Sequence, residues 1–133
     1  AGGVKFLLVH GSPRKNNEDI LPDTPLSEVE KMLENVDADV VLCGHTHIPC
    51  GFQTESRKTV VNAGSIGRTF FVEPNSYPKA CYLIIEVDNG SCVFQHQFVE
   101  YDKEQASEKL AAREFEGADK LAGMLINPEI RHF

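Results

Sequence analysis

The chain has 133 residues, 41% hydrophobic and 25% charged, with a formal net charge of -7. That is enough for one compact domain with a core, spanning residues 1–133, and too little for two ordinary ones. The acidic balance argues against broad nucleic-acid binding, which depends on Lys and Arg neutralising phosphates, and no apolar run approaches the roughly 20 residues of a bilayer span.

Ala1-Gly2-Gly3-Val4 lacks the charged and apolar regions of a signal peptide, and a cytoplasmic setting is expected. Lys5 to Val9 is a short apolar run that reads as a buried strand, stopped by His10-Gly11-Ser12-Pro13. Arg14 to Asp23 is polar and irregular and reads as a loop. Thr24 then looks like an N-cap, with Pro25 at the first helical position. Leu26, Val29, Leu33 and Val36 follow at helical spacing and predict an amphipathic helix over residues 25–36. Asp39 to Cys43 is the next strand, and it delivers Gly44-His45-Thr46-His47. After Gly51 the chain reads as polar loop through Lys58. Thr59-Val60-Val61 is a third strand, stopped by Asn62-Ala63-Gly64-Ser65-Ile66-Gly67.

Cys81 to Val87 and Cys92 to Tyr101 are β-rich runs around Asp88-Asn89-Gly90, a strong hairpin signal. Asp102 is expected to cap a charged helix over about residues 103–116, closed by Gly117. Ala118 to Ile126 predicts a short further helix before Asn127-Pro128. Strand-helix-strand first, hairpin later and a C-terminal helix predict one mixed α/β domain.

Histidine is the commonest metal ligand, and an H-x-H pair where a buried strand runs out can aim two imidazoles into one cleft. Such a pair binds one ion or puts one ligand on each of two. His10 ends the strand expected to neighbour the one bearing His45, so His10, His45 and His47 form the candidate metal set. In open α/β sheets, ligands sit outside the carboxyl ends of the strands. Asn62, Gly64 and Ser65 read as an ordinary turn shaping the cleft floor, with the asparagine side chain bonded to backbone. Arg14 is a candidate bidentate contact for a substrate phosphate, weighed against a solvated loop arginine. His96 and His132 read as structural or solvated. The four cysteines, Cys43, Cys50, Cys81 and Cys92, form no C-x-x-C pair and read as reduced thiols. A Cys43/His45/His47/Cys50 zinc site fits no common spacing.

Three stretches in order resemble the calcineurin-like metallophosphoesterases, nearest to the small bacterial and archaeal phosphodiesterase branch. They are Leu8-Val9-His10-Gly11-Ser12-Pro13-Arg14, Val41-Leu42-Cys43-Gly44-His45-Thr46-His47-Ile48-Pro49 and Val60-Val61-Asn62-Ala63-Gly64-Ser65-Ile66-Gly67. Pro22-Asp23-Thr24-Pro25 also looks like that branch. The resemblance implies an α/β/β/α sandwich and two divalent ions per complete site, manganese first, or iron, zinc or nickel. It implies phosphodiester or phosphomonoester hydrolysis by a metal-bound hydroxide. It implies that His10 and His45 bind one ion and His47 the other.

The family's Asp-x-His, Gly-Asp and Gly-Asn motifs do not occur, so the chain resembles the C-terminal half only. The expectation is an incomplete half-domain, weakly active or inactive alone and holding at most one ion. Its expected partners are a phosphate-ester substrate, and either a second copy or the missing N-terminal half. The rival is a non-catalytic binding or scaffold module of the same fold. A metallo-β-lactamase site is disfavoured, because Ile48 and Pro49 stand where that motif needs Asp and His.

Overall fold

A computed structural model of the chain describes residues 1–68 and 79–127, so His132 lies outside the described residues. The elements are β1 (Phe6–Leu8), α1 (Leu26–Met32), β2 (Val40–Cys43), β3 (Cys50–Gln53), β4 (Thr59–Asn62), β5 (Ala80–Asp88), β6 (Ser91–Val99), α2 (Lys103–Ala111) and α3 (Ala118–Ile126). The first four strands form one sheet in the order β1-β2-β4-β3, and β5 and β6 form a second, two-stranded sheet. β1, β2 and β4 run parallel, with Leu8 opposite Leu42 and Cys43 opposite Asn62. β3 runs antiparallel to β4 at the far edge.

β2 and β4 are apolar on both faces and largely buried, whereas β1 at the edge leaves Leu8 exposed. Val41, Cys43 and Val60 point toward α1 and join Ile20, Val29, Met32 and Leu33 in the core. A cleft between β1, β2 and the β5–β6 hairpin is bounded on one side by Leu8 and Leu42 and on the other by Leu83 and Ile85. Two bonds tie the layers together near the strand ends: Cys81 N–H donates to Ser65 O at 2.8 Å, and His96 Nε2 lies 2.7 Å from Asn62 O. His96 therefore has the structural role expected of it. The hairpin turns at Asn89 (φ 46°) and Gly90 (φ 83°), the double positive φ of a type I′ turn.

Four expectations are corrected. The segment after Gly51 is not all loop: Cys50–Gln53 is an edge strand, with Cys50 and Phe52 half-buried and Gly51 and Gln53 exposed. Four residues interrupted by glycine are too few for the alternation to stand out. α1 is shorter than residues 25–36, because Leu33 and Val36 bond to carbonyls three residues back in tight turns. Those turns still carry Leu33 into the core, which is why helical spacing outlasted the helix. Thr24 does not cap α1; its Oγ1 accepts from Leu21 N–H at 2.8 Å, and Pro25 occupies the cap position. Gly117 does not end α2, which stops at Ala111. With φ 86° it precedes α3 instead. Asp102 does cap α2, accepting from Gln105 N–H at 2.8 Å.

Candidate metal site

The parallel pairing of β1 and β2 continues past both strands. Val9 N–H donates to Leu42 O and Gly44 N–H to His10 O, each at 2.9 Å. This extra rung brings the chain at His10 beside Gly44, so His45 is delivered to its neighbour. His45 Nδ1 lies 3.1 Å from His10 Nε2, with ring centroids 5.0 Å apart at 68°. Two imidazole nitrogens bound to one ion at about 2.1 Å stand roughly 2.9–3.4 Å apart, so the pair has the separation of adjacent ligands. Among the described residues, no group of three or more His, Cys, Asp or Glu is disposed to hold an ion. The structure thus brings His10 and His45 together, while His47 does not join them in such a group among the described residues.

Both motif histidines sit in the left-handed backbone region, His45 at φ 64° and His47 at φ 63°. For a residue with a Cβ that conformation costs about 1 kcal/mol or more. The loop is held there from below. Asn62, fully buried, donates through Nδ2 to Gly44 O at 2.7 Å and to Thr46 Oγ1 at 2.9 Å. Its Oδ1 accepts from Gly64 N–H at 2.9 Å. The last bond is the turn role expected from the sequence. The first two were not expected, and they make Asn62 the brace of the histidine loop. Comparing His47→Gly with His47→Ala isolates the backbone term, since both lose the ring. Chemical denaturation is expected to show the glycine variant more stable by about 1 kcal/mol.

Gly64 (φ 79°) is fixed by close approach. A Cβ there would stand 2.8 Å from Cys81 Sγ and 2.9 Å from its Cβ. Gly64→Ala combines a strained φ with overpacking and is expected to destabilise by about 2–4 kcal/mol in urea unfolding.

Cys43 and Cys50 both stand opposite Asn62, from the two strands flanking β4. Burial pushes their thiols up to about 12 and about 11 respectively, which disfavours the thiolate a metal needs. A Cys43/His45/His47/Cys50 zinc set is not formed among the described residues.

Arg14 is engaged by Glu18, through Nε at 3.1 Å and Nη2 at 2.6 Å. Ser12 Oγ donates to the same carboxylate and accepts from the amides of Arg14 and Lys15. Arg14 and Ser12 together hold the Glu18 carboxyl below its usual range. Arg14 also borders a hollow with Lys31, Glu34 and Asn35 near the end of α1, a hollow that none of the three histidines lines. The cleft of about 450 Å³ between the two sheets, by contrast, reaches His10 at its rim.

A family model described as the calcineurin-like phosphoesterase superfamily domain matches residues 1–90. The fold is similar to that of the hypothetical protein PH1004 from Pyrococcus horikoshii OT3, at 25% identity and a TM-score of 0.76 over 98% of this chain and 49% of that one. It is also similar to a metallophosphoesterase from Sphaerobacter thermophilus, at 20% identity and a TM-score of 0.66 over 92% of this chain and 55% of that one. The chain thus spans about half the length of these solved structures. Comparison with curated proteins finds no match.

Proposed function

Because the chain belongs to the calcineurin-like phosphoesterase superfamily, we propose that it forms the histidine side of a metal-dependent phosphoesterase site. The observation that carries this is the 3.1 Å approach of His45 Nδ1 to His10 Nε2. In this reading His10 and His45 hold one divalent ion and His47, set on the same braced loop, serves the second. The carboxylate ligands come from residues beyond this chain. Bound divalent ions supply Lewis-acid polarisation of the phosphoryl oxygens and activation of a water nucleophile. The chain's own part is to present two neutral imidazole lone pairs at fixed separation, and Asn62 maintains that geometry by holding the loop. Arg14 has a subordinate place: Glu18 occupies two of its five N–H donors, and a phosphate oxygen would use the others. Manganese is the first ion to test, and a phosphodiester or phosphomonoester the substrate class. Free thiols at Cys43, Cys50, Cys81 and Cys92 support a reducing, cytoplasmic setting. No helix among the described residues is long and apolar enough to cross a membrane.

With two nitrogens for one ion and one for the other, the chain alone is expected to turn over bis-p-nitrophenyl phosphate with Mn²⁺ at or near the uncatalysed rate. Robust turnover that His45→Ala abolishes would contradict the half-site.

A second reading, a non-catalytic binding module, is favoured by one observation. Leu8 is 72% exposed on β1, the strand whose described pairing is with β2 alone, beside the apolar cleft. An open parallel edge and an apolar cleft invite another polypeptide, either a carboxylate-bearing segment or a second copy. Sedimentation at micromolar concentration tests the second copy: this reading expects a dimer, and a well-folded monomer counts against it.

A further inference from the structure

We propose that Asp19 is a positioning residue for His45. Its carboxylate faces the Nε2 side of the ring and favours a hydrogen there, which leaves the Nδ1 lone pair directed at the place His45 shares with His10. The proposal rests on the reading that His10 and His45 hold an ion together.

The geometry is a line of three groups. Asp19 Oδ1 lies 3.4 Å from His45 Nε2, and the other ring nitrogen, Nδ1, lies 3.1 Å from His10 Nε2. A neutral imidazole carries one N–H and one lone pair, whereas a carboxylate only accepts. A carboxylate beside Nε2 therefore selects the Nε2–H tautomer and leaves Nδ1 free to ligate. A metal-bound histidine commonly has its other nitrogen supported by a carboxylate in this way.

Asp19 is held by its neighbours rather than by regular secondary structure. Glu18, before it, is tied to Ser12 and Arg14. Ile20, after it, is 2% exposed in the core. The Arg14–Glu18 pair thus acquires a purpose, because it fixes the loop that carries Asp19 to the histidine. The Asp19 side chain is half-exposed, so its contribution is orientation rather than a buried ion pair.

A consequence follows for His10. With His45 Nδ1 as a lone pair, His10 Nε2 must carry the hydrogen that bridges the 3.1 Å gap in the metal-free chain. To ligate through Nε2, His10 then moves that proton to its own Nδ1.

Two readouts test Asp19 separately from the metal reading. Long-range ¹H–¹⁵N NMR of the metal-free chain, at about pH 8 where imidazole is mostly neutral, reports the tautomer directly. The Nε2–H form is expected at His45, and Asp19→Ala is expected to convert it to a mixture of tautomers. Co²⁺ titration is expected to show Asp19→Ala binding about tenfold more weakly, with Asp19→Glu recovering most of the loss. An Nδ1–H tautomer at His45 in the unsubstituted chain, or an Asp19→Ala variant unchanged in tautomer and affinity, overturns the proposal. Absence of Co²⁺ binding by the unsubstituted chain would overturn the metal reading instead, while the tautomer of the metal-free chain would still decide the role of Asp19.

Discussion

Asn62→Ala is expected to lower the unfolding free energy by about 3 kcal/mol, more than any other single truncation around the site. The change removes three side-chain hydrogen bonds and leaves Gly44 O, Thr46 Oγ1 and Gly64 N–H without those partners in a buried place. Gly44 O still accepts from Thr46 N–H and Thr46 Oγ1 from Ile48 N–H, so the cost is that of one orphaned amide at Gly64 and two weakened acceptors, at about 1 kcal/mol each. The histidine loop adds a second reason. Its two left-handed residues are unfavourable alone, so without the brace the loop relaxes toward ordinary backbone and His45 moves away from His10.

Asn62→Asp separates shape from hydrogen bonding, because the side chain keeps its size while an oxygen replaces the donor facing Gly44 O. A buried carboxylate with one oxygen set against the acceptor Gly44 O has its pKa raised in the folded state, although Gly64 N–H still donates to its other oxygen. The sign follows: the folded state favours the protonated form, so the variant fares best below the unfolded pKa of about 3.9 and loses stability as pH rises above it. Urea denaturation at pH 4 and pH 7 measures this. Equal destabilisation of Asn62→Asp at both pH values would show that the donor to Gly44 O matters little.

His10→Ala and His45→Ala are each expected to weaken divalent-ion binding on the order of 100-fold, the share of one ligand in a tetrahedral site's total. His96→Ala is the control. Its ring bonds to Asn62 O between the two sheets and is expected to affect stability more than affinity. Calorimetric titration with Mn²⁺ or Co²⁺ checks all three. The pair should behave as one unit, so the double variant is expected to bind little worse than either single variant. Additive losses from His10 and His45 would mean that each serves a different ion.

How far the sequence foretold this structure differs from residue to residue. The meeting of His10 with His45 was legible because parallel strands of a strand-helix-strand unit end on the same side of the sheet. The Asn89-Gly90 hairpin was legible because a type I′ turn needs two positive φ angles, and that residue pair supplies them. Asp102 was legible because a cap is a local bond to an amide three residues on. The brace from Asn62 was only half visible. Its bond to Gly64 is local, whereas those to Gly44 and Thr46 depend on β4 lying beside β2, which becomes known only from the assembled sheet. Asp19 gave no signal, since it lies in an irregular loop without motif or periodicity. The left-handed backbone at His45 and His47 was equally hidden, because neither glycine nor asparagine marks those positions.

X-ray absorption fine structure of the Co²⁺-loaded chain bears most directly on the central claim, that His10 and His45 bind one ion together. The account predicts one ion per chain with two imidazole nitrogens at about 2.1 Å, the remaining positions filled by water oxygens. A single imidazole, a sulfur ligand from Cys43 or Cys50, or no saturable binding would contradict it.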